Sequence, residues 1–286
     1  MSNRMSSNRL SSGRMSSRLL GLSFCALLAA ALPAFAAAPQ AAAPETNLLK
    51  VHQLRLAAQK SLSDFYMFNG MEGDQRYARM ISESVQEASS RLSELGEMPG
   101  DSSKALRAQL QQQWTSYQAD LDGLTRALKT QGFTDLQPVA DLAARNQRLL
   151  ALSTELYNKI QLESGTKVPN LTQQSREQSL LMQAIAVDYA SRSASVGASF
   201  FGGGEARPIE ELVSEFASRL DSLSQAPQNT AQTRQALGSI HTKWRYIEKS
   251  LKNYNENAVP FVISKYSDSI IDGLEGVSAQ YAATQL

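Results

Sequence analysis

Arg55 is the residue whose type and placement most invite chemistry. It lies in LRLAAQK (Leu54 to Lys60), where the stripe Val51, Arg55, Ala58, Leu62 and Phe65 carries its guanidinium onto an otherwise apolar helical seam. A desolvated arginine needs an acidic partner or a bound anion, and its planar fork matches an oxyanion bidentately. A second stripe, Leu54, Ala58, Ser61, Phe65 and Phe68, leaves Arg55 at the edge of the seam, with its stem packed and its head in water. That edge placement is the commoner one for an arginine. Lys60 reads as a solvated surface charge.

Other chemistry-bearing residues are isolated. His52 and His241 are the only histidines, and neither has a second histidine or a glutamate at metal-ligand spacing, so no metal is expected. Gly202-Gly203-Gly204 lacks the lysine and hydroxyl residue of a phosphate loop and reads as a connection between helices. Trp114, Tyr117, Trp244 and Tyr254 could wall a ligand, but at seam positions they read as core. No Ser-His-Asp set, acidic pair in a recognisable frame or nucleotide fingerprint occurs, so neither catalysis nor a cofactor is expected.

The N-terminus places these residues in an exported protein. Arg4, Arg9, Arg14 and Arg18 precede an apolar run from Leu19 to Phe35 that closes with Ala34-Phe35-Ala36. A basic region, an apolar core and an A-x-A site describe a secretory signal peptide over residues 1–36, and the expected location is periplasmic. Met5 and Met15 offer later starts, and the rival reading of an uncleaved anchor is weakened by the short run and by Pro33. Cys25 is the only cysteine and leaves with the signal, so the mature chain has no disulfide and no thiol nucleophile. Cleavage leaves 24 basic against 27 acidic residues, a net charge of −3. Nucleic acid is therefore not an expected partner. The proline- and alanine-rich stretch around PQAAAP (Pro39 to Pro44) reads as a flexible tether over residues 37–45.

Helical periodicity dominates the remainder. Leu110, Trp114, Tyr117, Leu121, Leu124 and Leu128 are spaced four, three, four, three, four, and Leu237, Ile240, Trp244, Ile247, Leu251 and Tyr254 form a matching seam. Breakers between the stripes divide the chain into eight helices, over about 46–69, 74–96, 102–131, 136–163, 170–200, 206–224, 229–256 and 260–284. Asp101 or Ser102 can cap the third, while Pro138, Pro208 and Pro260 suit first turns. No segment alternates with a period of two for long enough to argue a strand. The expected fold class is all-α.

The sequence also repeats itself. ISESVQEASSRLSELGEMP (Ile81 to Pro99) returns as IEELVSEFASRLDSLSQAP (Ile209 to Pro227), and one tryptophan follows each copy. A fixed internal period predicts two copies of one unit, here two tandem up-down four-helix bundles over 46–165 and 166–286, with SGTKVPN as the joint. A continuous helix through the joint is the alternative, disfavoured by Gly165 and Pro169.

LRLAAQK leading into Asp64-Phe65-Tyr66, and QSLLMQA (Gln178 to Ala184) leading into Asp188-Tyr189, resemble the Q-R-M-L-S-Q-R box of the PilJ-type sensory domain. That domain opens the methyl-accepting chemotaxis transducers of type IV pili. Trp114 with Tyr117, and the run NQRLLALSTELYNKI (Asn146 to Ile160), resemble the family's third and fourth helices. The resemblance implies a periplasmic four-helix sensory bundle, and in some members a small oxyanion such as nitrate held by the box arginine at a dimer interface. Carried onto this chain, the ligand-binding positions are Arg55, Gln59 and Lys60. In the second copy Ser179 and Ala184 replace the basic residues while Gln183 remains, which implies that copy two has lost its anion site.

Two functions follow as expectations. The first is a non-catalytic sensory or ligand-binding protein that holds a small oxyanion and relays to a membrane-bound receptor or other envelope protein, with a homodimer implied by the resemblance. The alternative is a structural or protein-interaction module of the cell envelope without a small-molecule ligand.

Overall fold

Eight amphipathic or buried apolar stretches need eight helices, and helices are what the computed structural model contains. It describes residues 42–194, 207–254 and 258–285. The helices are α1 (Ala42–Gly70), α2 (Gln75–Ser93), α3 (Asp101–Gln131), α4 (Leu136–Ser164), α5 (Asn170–Ala194), α6 (Ile209–Gln225), α7 (Ala231–Lys252) and α8 (Pro260–Ala283). The protein is all-helical, with no strand among the described residues. The expected signal segment, Gly202 to Gly204 and the predicted end of the fifth helix at residues 195–200 lie outside the described residues.

Local chemistry sets the helix ends. The Asp74 carboxylate accepts from Arg76 N at 2.8 Å and the Thr230 hydroxyl from Thr233 N at 3.1 Å, each capping a first turn. Pro260 opens α8, where its missing N–H has no intrahelical role. Gly132 and Gly165 end α3 and α4 with φ of 80° and 69°, in the left-handed region that favours glycine. Two expectations are corrected. Helix α1 begins at Ala42, inside the predicted tether, because alanines favour helix, Pro44 is tolerated in a first turn and Glu45 suits the positive helix end. The cap of α3 is Gly100 rather than Asp101 or Ser102, and a carboxylate from α4 completes it: Ser103 N donates to Glu163 Oε2 at 3.2 Å.

Residues from Pro39 to Leu286 form one compact unit. Within it are two hydrophobic cores. One is built mainly on α1 to α4 around Leu54, Phe65, Leu110, Trp114 and Leu156, and the other mainly on α5 to α8 around Met182, Phe216, Trp244, Ile270 and Leu274. Helix α1 packs on α2 and α4, and α3 on α4; α5 packs on α6 and α8, and α7 on α6 and α8. The two groups meet side by side, because α1 and α5 also pack closely on each other. Ideal Cβ geometry at Gly70 reaches Ala194 Cα at 3.1 Å, so these two helix ends are in backbone contact. Both helices are consequently buried around most of their circumference, which explains their low amphipathicity.

Candidate functional site

The seam between the two helical groups is where polar residues enter the interior. Helix α1 contributes His52 and Arg55, α4 contributes Tyr157, α5 contributes Gln173, Arg176 and Ser179, and α8 contributes Glu275. Helical spacing of three or four residues places His52 with Arg55, and Arg176 with Ser179, on one side of each helix.

Two arginines dominate the cluster. Arg176 is only 4% exposed, and Arg55 is half-buried. The Nε of each is buried without a hydrogen-bond partner, and neither guanidinium forms an ion pair among the described residues. Arg176 Nη1 has one polar contact, the Tyr157 hydroxyl at 3.4 Å, and that hydroxyl donates to Gln173 Oε1 at 2.7 Å. Burial pulls the Arg55 guanidinium below its usual range, opposed by Tyr157 and Glu177.

The nearby carboxylate is engaged elsewhere. Glu275 Oε1 lies 2.8 Å from His52 Nε2 and accepts from the Ser179 hydroxyl at 2.7 Å. Burial pushes the Glu275 carboxyl up, but hydrogen bonds from His52 and Ser179 and the charge of Arg176 hold it below the ordinary value. His52, 1% exposed, is held below its usual value by burial, which Glu275 only partly offsets, and the charges of Arg176 and Arg55 act in the same direction. Ser179 and His52 share one carboxylate oxygen instead of bonding each other. Two guanidiniums with N–H groups that no carboxylate pairs can hold an anion, with the Tyr157 proton already given to Gln173.

The predicted ligand residues are thus separated. Arg55 faces the cluster. Gln59 places its Oε1 in the interior without a donor. Lys60 is not a free surface charge. Its ammonium lies 2.8 Å from both oxygens of Asp268 and 3.3 Å from Asp64 Oδ1, because burial of the stem demands charge partners. Burial alone would depress the lysine, yet Asp64 and Asp268 outweigh it and hold it raised.

Sequence reasoning missed Arg176, His52 and Glu275 as a group. A signal existed for Arg176, since Thr172, Arg176, Ser179, Gln183 and Ala186 form a helical stripe with an arginine at its centre. Outside the cluster, His241 Nε2 contacts the Ser224 hydroxyl at 3.0 Å, and no group of side chains among the described residues could hold a metal ion. Trp114 and Trp244 are core, stacked on Tyr117 and tilted against Phe216 respectively. A surface hollow of about 260 Å³ lies apart at Gln174, Arg219, Ser222 and Leu223, and its arginine is paired with Glu177 and Glu215. No helix among the described residues is long and apolar enough to cross a membrane.

Comparison with protein-family models, with curated proteins and with solved structures finds no match in any of the three.

Proposed function

We propose that this chain is an exported, periplasmic, non-catalytic sensory protein that holds a small oxyanion where its two halves meet and presents that state to a membrane-bound partner. One observation carries the reading: Arg55 and Arg176 stand on facing helices with buried Nε atoms that no protein group satisfies. An unpaired buried charge destabilises a fold by several kcal/mol at most sites, and a bound anion supplies the missing partner.

The same reading makes each half a four-helix bundle of the PilJ-type and the two halves copies of one unit. Burial supports the repeat. Leu48, Val51, His52, Leu54, Ala58, Ser61, Leu62 and Phe65 on α1 are matched in order by Thr172, Ser175, Arg176, Gln178, Met182, Ile185, Ala186 and Tyr189 on α5, and all sixteen are buried. In this register Arg176 occupies the place of His52, and Ser179 that of Arg55. The second half has therefore not lost its basic residue but carries it one turn earlier, and an anion between α1 and α5 would meet one arginine from each copy.

Thermal unfolding of residues 37–286 across nitrate, nitrite, sulfate and acetate tests the proposal, because a ligand selective for the folded state raises the midpoint with concentration. A saturable rise lost in both Arg55→Ala and Arg176→Ala is expected. A flat panel would sink it and leave the chain as an interaction module of the cell envelope.

A further inference from the structure

Beside the arginine pair a buried histidine bonds α8. His52 lies three residues before Arg55 on α1, and its Nε2 is 2.8 Å from Glu275 Oε1, which also accepts from Ser179 on α5. The titratable and charged groups around it are Arg55 on its own helix, Tyr157 on α4, Arg176 and Glu177 on α5 and Glu275 on α8. Two of these are fixed cations that make no ion-pair contact among the described residues. They repel a proton at His52, while Glu275 attracts one.

We propose that His52 takes up a proton from solvent when an anion occupies Arg55 and Arg176, so that anion binding is coupled to acidity. This rests on the anion-binding reading above. An anion between the guanidiniums cancels the field that opposes the imidazolium, while the carboxylate that favours it stays in place. The hydrogen bond between neutral His52 and the Glu275 carboxylate becomes an ion pair, stronger and linking α1 to α8. Occupancy at the arginines is thereby passed to the last helix.

The chain has two histidines, so imidazole C–H resonances read His52 directly by NMR, with His241 as the internal reference and His241→Gln as the assignment. The probe is whichever of nitrate, nitrite, sulfate and acetate raises the unfolding midpoint. At saturation the His52 midpoint is expected to rise by about one pH unit while His241 stays still, which makes affinity about tenfold higher well below both His52 midpoints than above them. His52→Gln is expected to keep binding and lose that pH dependence. Saturable binding with an unmoved His52 midpoint would overturn the coupling and leave the anion site standing. If no probe binds at any pH, the site and the coupling fall together.

Discussion

Lys60 Nζ lies 2.8 Å from both carboxylate oxygens of Asp268, joining α1 to α8 across 208 positions of sequence. The same ammonium touches Asp64, which is 1% exposed and also accepts from the Ser84 hydroxyl at 3.1 Å. One cation therefore serves two carboxylates at the seam between the halves, and the buried one is short of compensation.

Burial raises the Asp64 carboxyl from 3.8 to about 6, more than Lys60 and Ser84 can offset. A carboxyl raised on folding contributes stability below its unfolded value and loses it as pH rises through the folded value. The window is thus pH 3.8 to about 6. Asp64→Asn, which is neutral throughout, is expected to be more stable than wild type at pH 7 by about 3 kcal/mol, with the difference falling to about 0.5 kcal/mol near pH 4. Urea midpoints at pH 4, 5, 6 and 7 check this, and a difference constant with pH would refute it.

On the proposed anion-binding reading, Arg176 is stability given up for a site. Its buried Nε lacks a partner and its guanidinium makes no ion-pair contact among the described residues, so an apolar chain of similar length should pack there at lower cost. Arg176→Met is expected to stabilise the ligand-free protein by at least about 1 kcal/mol and to abolish any midpoint rise with anions. Loss of stability in the absence of ligand would mean that the guanidinium has a structural role.

Two glycines three residues apart on α8 should respond oppositely to the same substitution. A Cβ on Gly273 would meet Ile240 Cγ1 at 2.8 Å, whereas one on Gly276 would meet nothing within 4 Å. Alanine favours helix over glycine by about 1 kcal/mol. Gly276→Ala should therefore stabilise by about that amount. Gly273→Ala should destabilise by roughly 1–2 kcal/mol, because α7 and α8 must separate. Denaturant midpoints of the two single variants suffice, and equal signs would contradict the close approach at Gly273.

Helix count and boundaries were legible because Trp114, Leu121 and Leu128 on α3, like Ile240, Trp244 and Ile247 on α7, repeat at helical spacing between clear breakers. The side-by-side placement of the halves was not. Seam periodicity reports that a helix is buried on one side, and α1 and α5 are buried on several. The hint was the run Leu62 to Phe68, whose apolar groups point in every helical direction. Arg55 was legible as a guanidinium on or beside the seam, with the edge placement the commoner reading, and it is half-buried with its Nε inside. Lys60 was misread as solvated, since its partner Asp268 is remote in sequence, and Arg176 was hidden because only the box positions of the second copy were compared with the first.

The proposed repeat makes one prediction that depends on both copies at once. Trp114 Nε1 donates to the Ser89 hydroxyl at 3.0 Å, and that hydroxyl donates in turn to Val85 O at 2.8 Å. In the second copy Val213 stands for Val85 and Trp244 for Trp114, but Ala217 stands for Ser89. Trp244 Nε1 is accordingly buried without an acceptor. Ala217→Ser would return the hydroxyl to a half-buried helical position packed against the core that holds the indole. Relief of an unsatisfied buried N–H is worth about 1–3 kcal/mol, against about 0.5 kcal/mol lost in helix propensity, so a net gain of about 1 kcal/mol is expected. Ser89→Ala should make the opposite change in the first copy and destabilise by a similar amount. Urea unfolding of the two variants measures both, and a destabilised Ala217→Ser would show that the two tryptophans do not occupy equivalent surroundings.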